Sequence, residues 1–297
     1  MKFLIIIPAH NEEQNISFCL SSLENQTYKD FHLVVVDDGS SDSTLEIVQD
    51  FKENSKIGSK MSVVSLLKSR HEPGAKVVRT FNKGLETQDL KEFDIICKFD
   101  ADIIFPENYL EEINRIYQNN PKAGMVSGIV KIANAGFDET KVYDFEDAEQ
   151  QWKFENISSK NHVRGPIKSY RIECFQAMNG LRPVLGWDNI DVMLSAMHGW
   201  EVLTLKDLWV KHLRPTAFQY QKQKAEKLGE YFYNIGLNCP LAIISSAKSS
   251  FKNRSFSEFI TTMKTFMNQN HPRDLSSDEI KFIRSHRWNQ MLKKKKS

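Results

Sequence analysis

The sequence of 297 residues has only four cysteines, Cys19, Cys97, Cys174 and Cys239, and no two of them form a CxxC pair. Scattered cysteines of this kind, most of them in apolar surroundings, are typical of reduced thiols in a protein core. Because disulfides are rare in reducing compartments, the pattern favours a cytoplasmic protein.

Long apolar runs are also missing: no stretch of 18 or more apolar residues occurs, which predicts that no helix crosses a membrane. The opening MKFLIIIPAHNE contains an apolar run too short for a signal peptide, and we interpret it as a first β-strand. Hydrophobic residues make up 40% of the chain and charged residues 26%, as in ordinary globular proteins. The length suits one large α/β domain, with or without an appendage.

The glycine-rich phosphate loops are absent, since neither GxxxxGK[ST] nor GxGxxG follows the first predicted strand. A nucleotide diphosphate bound at an acidic site therefore needs a bridging Mg²⁺ or Mn²⁺ to offset its charge. No recognisable nucleic-acid-binding module with interleaved aromatic residues occurs, so we expect no nucleic-acid partner.

The net charge of +2 conceals an uneven distribution. Residues 1–213 carry 24 Lys and Arg against 32 Asp and Glu, whereas residues 214–297 carry 16 against 6 and end in Lys293–Lys296. A basic terminal region on an acidic body suggests contact with an anionic partner such as a membrane surface. The alternative is a solvated, partly disordered tail.

Strand and helix patterns alternate through the first hundred residues. The β-branched and aliphatic runs that predict strands are Phe3–Ile7, His32–Val36, Met61–Leu67 and Phe93–Phe99. Helical patterns lie between them, around Ile16–Leu23, from a capping box at Ser43 and Glu46, and over Ala75–Leu85. Short strands joined by helices predict an α/β fold with a mostly parallel central sheet.

The later sequence is less regular. Gly124–Ile132 and Ile167–Phe175 are predicted strands, residues 138–162 a loop or helix, and residues 186–212 a helix followed by a strand. The remainder is predicted to be largely helical. Residues 231–247 carry no charge, which predicts either a membrane-lying helix pair or helices docked on the core.

Three predicted strands end in polar or acidic loops, Pro8–Glu12, Asp37–Ser40 and Asp100–Asp102. Because ligands bind at the carboxyl ends of parallel strands, this convergence predicts a binding site there. In Asp100-Ala101-Asp102, one carboxylate would bind a metal ion and the other a ribose or a metal-bound water; a solvated turn is the alternative.

Two further features support that interpretation. Asp38 is placed to accept a hydrogen bond from a nucleobase or ribose, although helix capping explains the same loop. His212, at the end of a late strand, is a candidate metal ligand beside Asp102, or else a structural histidine.

The chain resembles the family-2 glycosyltransferases of the GT-A fold. The resemblance rests on IIIPAHNEEQNISFCLSSLENQTY, LVVVDDGSSDST, GAKVVRTFNKGL, FDAD and GWDNIDVMLSAMHGWEVLTL followed by VKHLRPT, in that order over residues 1–215. Two departures stand out. Trp187 occupies a position where many members have Glu, and His10 replaces a commoner Tyr or Phe.

The resemblance implies roles for individual residues. The implied donor-binding residues are Pro8, Ala9, His10, Glu12, Asp38, Lys76, Asn82, Asp100 and Ala101. Asp102 matches the position that binds the metal ion and the diphosphate. Together with His212, the ligand candidate named above, it would bind a divalent metal ion, Mn²⁺ or Mg²⁺. Asp188 matches the general base, and Asp191, one helical turn further on, is the rival for that role.

The implied activity is inverting transfer of a sugar from a nucleotide-sugar donor to a glycan or lipid-linked acceptor, in cell-surface polysaccharide or related synthesis. The implied organisation is a catalytic domain over residues 1–215, with a donor half to about 104 and an acceptor half after it, and a basic helical extension over 216–297. Such an enzyme would lie in the cytoplasm, with a peripheral position on the membrane as one possibility. A nucleotidyltransferase and a non-catalytic nucleotide-sugar-binding protein are the alternatives.

Overall fold

The structure, a computed structural model, describes residues 1–67, 74–134, 139–146, 151–157, 159–214 and 224–293. One sheet runs through these residues in the strand order β3-β2-β1-β4-β8-β6-β9-β5, with β7 paired to β6. The strands are β1 Phe3–Ala9, β2 Phe31–Asp37, β3 Met61–Ser65, β4 Ile95–Phe99, β5 Ile103–Ile104, β6 Ala123–Ala133, β7 Trp152–Phe154, β8 Ile167–Arg171 and β9 Glu201–His212.

Helices cover both faces of the sheet and form the C-terminal region. They are α1 Ile16–Glu24, α2 Thr44–Asn54, α3 Ala75–Leu85, α4 Tyr109–Asn119, α5 Ile172–Ala177, α6 Trp187–Met197, α7 Lys224–Asn234, α8 Cys239–Asn253, α9 Phe256–Asn268 and α10 Ser277–Lys293. The predicted helix over Ala75–Leu85 is confirmed with the same bounds.

The first half of the sheet, β3-β2-β1-β4, is parallel as predicted. Strand β1 is apolar throughout because both of its faces are buried. Ile5 and Ile7 pack into the cluster that contains α1, whereas Leu4 and Ile6 pack into the cluster on the α3 side. Beyond β4 the sheet is mixed, since β8 and β5 run antiparallel to their neighbours while β6 and β9 are parallel.

Three local predictions were wrong. Residues 138–162, predicted as a loop or helix, contain the strand β7, which pairs with the end of β6. The strand predicted over Ile167–Phe175 ends at Arg171, and α5 follows it. Arg171 pairs with Ile95, the first residue of β4, so the next residues have no strand partner there. The capping box at Ser43 does not form, because the Ser43 side chain makes no capping hydrogen bond.

The uncharged C-terminal stretch docks on the core. Phe232, Ile235 and Leu241 are fully or almost fully buried, and they share a hydrophobic cluster with Trp187 and Ile190 of α6. Burial of these side chains accounts for the lack of charge. Within the described ranges, no helix has the length and apolar character needed to cross a membrane. The lysine run continues into residues 294–297, which lie outside the described part.

Candidate active site

The three predicted loops meet at one edge of the sheet because β2, β1 and β4 are neighbours. The backbone N–H of Asp38 donates to the carbonyl oxygen of Ala9 at 2.8 Å, which joins the first two loops. The N–H of Asp100 donates to the carbonyl oxygen of Pro166 at 2.9 Å, so the third loop is tied to the segment before β8. The convergence predicted from the sequence is therefore present.

Asp38 lies at the centre of a buried polar cluster. Thr80 Oγ donates to its carboxylate at 2.7 Å, and Lys76 Nζ lies 3.3 Å from the same oxygen. The ring Nδ1 of His10 lies 2.9 Å from the backbone carbonyl of Asp38, a contact that requires a proton on Nδ1. Asn82 is six residues beyond Lys76 on α3, about 9 Å further along the helix axis, and lies apart from this cluster.

Asp102 lies in a second cluster, beside residues that come from the end of β9. Its Oδ2 is 3.4 Å from Nε2 of His212 and 3.5 Å from Nε of Arg214. Arg214 also donates to the carboxylate of Glu12, so one guanidinium joins two loops. The N–H of Leu213 donates to the carbonyl of Asp102 at 3.0 Å and holds the two segments in register.

The charged groups in this cluster shift one another's pKa values. Burial opposes ionisation of Asp102, but the hydrogen bond from His212 and the charges of His212 and Arg214 outweigh it, so the pKa of Asp102 lies below its usual value. Burial, together with the negative charge of Asp102, raises the pKa of Glu12 even though Arg214 opposes the shift. The surroundings thus favour the charged form of Asp102 and oppose that of Glu12.

His212 is held from its other side by a buried ion pair. Its Nδ1 lies 3.2 Å from Oε2 of Glu155, which also accepts a hydrogen bond from Arg164 at 2.8 Å. Burial works against protonation of His212, but its contacts with Asp102 and Glu155 outweigh burial and raise its pKa to about 9. The ring is therefore fixed in orientation by partners on both nitrogens.

A divalent metal ion fits these residues. No group of three or more His, Cys, Asp or Glu side chains arranged to hold a metal ion occurs in the ranges that the structure describes. Mg²⁺ and related ions, however, commonly take only one or two protein ligands and complete their shell with water and substrate phosphates. An ion shared by Asp102 Oδ2 and His212 Nε2 would take the place of the proton that Nε2 holds toward Asp102 in the metal-free pair. Glu155 is placed to orient the histidine.

Asp100 is connected to α6 through a buried lysine. Lys98 pairs with the Asp100 carboxylate, and its Nζ lies 5.3 Å from the centre of the Trp187 ring. Lys168 Nζ lies 5.1 Å from the same ring. Trp187 thus lies within cation–π distance of two lysines, at a position where many family members have an acid.

The two candidate bases have different environments. Asp188 is half-buried in the first turn of α6, where the helix dipole favours a negative charge. Asp191 is only 2% exposed, and both of its oxygens lie 2.7 Å from Lys168 Nζ. Tyr170 donates to it at 2.7 Å as well. Burial raises the pKa of Asp191, with Lys168 acting in the opposite direction.

A cavity of about 290 Å³ lies beside Asp188, between α6 and the C-terminal helices α7 and α8. Its lining includes Asp188, Asn189, Lys224, Lys227, Tyr231 and Ser249. Burial raises the pKa of Tyr231 to about 12, so its hydroxyl stays protonated at neutral pH. The C-terminal helices therefore form one wall of a space that opens next to a candidate base.

Several residues of the site were not predicted. Arg214 lies inside the motif VKHLRPT, which by itself indicates no role for the arginine. Lys98 interrupts the otherwise apolar strand β4, which is a sequence signal for a buried cation with a specific partner. Lys168 lies in the mixed strand β8, Ile-Lys-Ser-Tyr-Arg, which carries no such signal. Glu155 and Arg164 lie in or beside an irregular segment whose sequence carries no comparable signal.

Comparison with known proteins places the chain among sugar-transferring enzymes. A sequence profile described as glycosyl transferase family 2 matches residues 4–179. The poly-beta-1,6-N-acetyl-D-glucosamine synthase of Staphylococcus epidermidis is 27% identical over 129 residues, which make up 43% of this chain and 28% of the synthase. The chain thus matches little more than a quarter of that relative's length.

Solved structures extend the likeness to nearly the whole chain. The mannosyltransferase PcManGT from Pyrobaculum calidifontis, in complex with GDP-Man and Mn²⁺, has a TM-score of 0.57 at 17% identity and covers 97% of this chain and 74% of its own. S. aureus TarS 1-349 in complex with UDP-GlcNAc has a TM-score of 0.57 at 18% identity, with coverage of 90% and 81%. These structures confirm the expected GT-A fold, with helices added at the C-terminus.

Proposed function

Because the chain belongs to glycosyltransferase family 2, we propose that it transfers a sugar from a nucleotide-sugar donor to an acceptor hydroxyl with inversion at the anomeric carbon. The pathway that we propose is the synthesis of a cell-surface polysaccharide or a lipid-linked glycan. The catalytic part in this proposal is residues 1–215, and residues 216–297 form an extension beside the acceptor.

The observation that supports this proposal best is the position of Asp102 and His212. Both are buried, with Nε2 of His212 3.4 Å from Oδ2 of Asp102, at the sheet edge where the loops after β2, β1 and β4 converge. A nucleoside would lie along Pro8–Glu12 and Asp38, with Lys76 at its border. Its diphosphate would then reach Asp100, Ala101 and Asp102.

A divalent ion bound by Asp102 and His212 would offset the negative charge of the diphosphate, both in the bound donor and as it leaves. The protein's own residues would do the remaining electrostatic work. Arg214 would lie beside the same phosphates, since it already contacts Glu12 and Asp102. Lys98 would hold the Asp100 carboxylate in place for the ribose.

Asp188 would act as the general base. Its carboxylate would take the proton from the acceptor hydroxyl as that oxygen forms a bond to the anomeric carbon. The bond from that carbon to the diphosphate oxygen breaks at the same time, and the nucleoside diphosphate leaves with the electron pair. Asp191 would act as a positioning residue, because Lys168 contacts both its carboxylate and the carbonyl of Asp188 at 2.6–2.7 Å.

The acceptor would enter through the cavity between α6 and α7. Lys224 and Lys227 line it and give it a positive side, which suits an acceptor that carries a phosphate or other anionic group. The Tyr231 hydroxyl, close to Asp188, would hydrogen-bond to the acceptor sugar.

Thermal unfolding with nucleoside diphosphates and nucleotide sugars, each with and without Mn²⁺, tests the donor site. A ligand at a hundred times its Kd should stabilise the protein by about 2.7 kcal/mol. We expect a Mn²⁺-dependent rise in Tm with one nucleoside, lost in Asp102→Asn. Asp50→Asn, an exposed aspartate on α2, is the matched control and should keep the shift.

A protein that shows no Mn²⁺-dependent shift with any nucleotide would contradict the proposed donor site. A shift that persists in Asp102→Asn would place the ion elsewhere. Product formation with the stabilising nucleotide sugar, followed by analysis of the anomeric configuration, then tests inversion.

A further inference from the structure

Two phenylalanines are exposed at the turn between α8 and α9. Phe251 is 87% exposed and Phe256 is 75% exposed, and they flank Arg254 and Ser255, where the chain reverses. We call residues 251–256 the hairpin tip. Among the large apolar side chains of the C-terminal helices, Phe232 and Phe266 are buried, and those that are exposed, such as Ile243, Ile260 and Met267, are exposed to a smaller extent than Phe251 and Phe256.

The hairpin tip is also basic. Lys248, Lys252 and Arg254 are all exposed within one turn or so of the two phenylalanines. The acid nearest in sequence, Glu258, is engaged within the tip region, since its carboxylate accepts from Asn253 Nδ2 at 2.7 Å. Apolar rings and cations are thus interleaved on one short protruding element.

We propose that the hairpin tip binds the surface of an anionic lipid bilayer. Exposed aromatic rings gain by leaving water for the boundary of the acyl chains, and lysine or arginine side chains beside them are attracted to anionic headgroups. The long basic side chains can bury their stems while their charges stay at headgroup level. Charge complementarity therefore favours an anionic membrane over an apolar protein surface.

The proposed membrane contact is distinct from the uncharged stretch 231–247, in which Phe232, Ile235 and Leu241 are buried in one cluster with side chains of α6. The hairpin tip lies at the C-terminal end of α8. Ser249, two residues before Phe251, lines the cavity beside Asp188. A tip held at the bilayer therefore brings that cavity close to the headgroups.

The position of the cavity also indicates the acceptor, in an inference that rests on the proposed function. The acceptor would be a lipid-linked glycan presented at the membrane surface. Its anionic phosphate would lie near Lys224 and Lys227, and its sugar near Asp188. Membrane binding by the tip does not itself depend on transferase activity, so the two ideas can fail separately.

Sedimentation of the full-length chain with vesicles tests the contact. We expect binding to vesicles of equal parts phosphatidylcholine and phosphatidylglycerol, little binding to phosphatidylcholine alone, and a loss of binding at high salt. The variants Phe251→Ser/Phe256→Ser and Lys248→Gln/Lys252→Gln/Arg254→Gln should each bind at least about tenfold more weakly.

Matched controls separate the tip from general surface properties. Leu67→Ser removes an apolar side chain that is 93% exposed away from the tip, and Lys29→Gln/Lys52→Gln/Lys56→Gln removes three cations at another surface. Both should bind vesicles like the wild type. Every variant should keep the wild-type Tm and its nucleotide-dependent shift.

Equal binding of tip variants and wild type, or no preference for anionic vesicles, overturns the proposal. A dimer in sedimentation velocity that is lost in Phe251→Ser/Phe256→Ser would mean that the tip is an interface between chains, which also overturns it. Vesicle binding without any nucleotide-dependent shift would preserve the membrane contact and contradict the transferase proposal.

Discussion

The Nε2 atom of His212 lies 3.4 Å from Oδ2 of Asp102, where the end of β9 meets the loop after β4. Both side chains are buried, and each has a second partner: Glu155 for the histidine and Arg214 for the aspartate. The two side chains come from distant parts of the sequence, and the atoms that would bind the metal ion, Nε2 of His212 and Oδ2 of Asp102, are turned toward each other. This pair carries the metal-binding part of the proposed function.

Glu155→Gln should weaken Mn²⁺ binding by about 10- to 100-fold, because partners that orient a metal-bound histidine have effects of that size. The carboxylate at 3.2 Å from Nδ1 holds the ring and makes its other nitrogen a better ligand. Isothermal titration of Mn²⁺ in the presence of a nucleoside diphosphate measures the change.

Glu92→Gln, which alters an exposed ion pair with Lys2, is the control and should leave the Mn²⁺ affinity unchanged. Unchanged affinity in Glu155→Gln as well would mean that Glu155 serves only to neutralise Arg164.

The metal-free protein should lose stability as the pH rises toward 9. The folded-state pKa of His212, about 9, is above its usual value of 6.5. A raised pKa means that protonation stabilises the folded state: the contribution is complete below pH 6.5 and is lost as the pH rises through about 9. Chemical unfolding in EDTA across this range, compared with His212→Gln, measures it.

The free energy of unfolding should fall more steeply with pH in the wild type than in the variant. Parallel curves for the two proteins would contradict the assignment of this pH dependence to His212.

Asp188→Asn should reduce turnover by about 10²- to 10⁴-fold, the usual contribution of a general base, with little change in donor affinity or Tm. The side chain is half-buried and, unlike Asp191, is not paired with a buried lysine. Single-turnover assays and the donor-dependent thermal shift measure the two quantities separately.

Asp191→Asn should act mainly on stability. Lys168 is completely buried and pairs with Asp191, so removing the carboxylate leaves a buried charge without its counter-ion. Losing one partner of a buried ion pair costs about 3–5 kcal/mol. Urea unfolding measures the loss; a stable Asp191→Asn protein with no activity would instead favour Asp191 as the base.

Gly186→Ala should destabilise the protein through the contact between α6 and α7. Gly186 has a φ of +98°, and an added Cβ would lie 2.5 Å from the Tyr231 ring. Gly199 is the control for backbone strain alone, because its φ is +79° and an added Cβ there would have no atom within 4 Å. Gly199→Ala should cost about 1–2 kcal/mol, and Gly186→Ala clearly more in the same unfolding experiment. Equal losses would mean that α7 moves away from α6 without cost.

Local sequence patterns were sufficient for much of the fold and part of the site. The continuous apolar run of β1 predicts a strand buried on both faces, and its packing against α1 and α3 confirms this. The acidic loops after β2 and β4 follow from the same reasoning, because parallel strands place their carboxyl ends on one edge. The strand predicted beyond Arg171 failed because pairing partners, rather than propensity, decide where a strand ends.

The amino-acid sequence by itself determined the alternation of strands and helices, the acidic edge of the sheet and the basic character of the C-terminal region. Those properties depend on neighbouring residues and on composition. Only the tertiary structure decided that Glu155 and Arg214 flank the pair of His212 and Asp102, that Lys168 pairs with Asp191 and leaves Asp188 beside a cavity, and that Phe251 and Phe256 are exposed to solvent. Distances between side chains far apart in sequence depend on how the sheet and helices pack, and no local pattern records them.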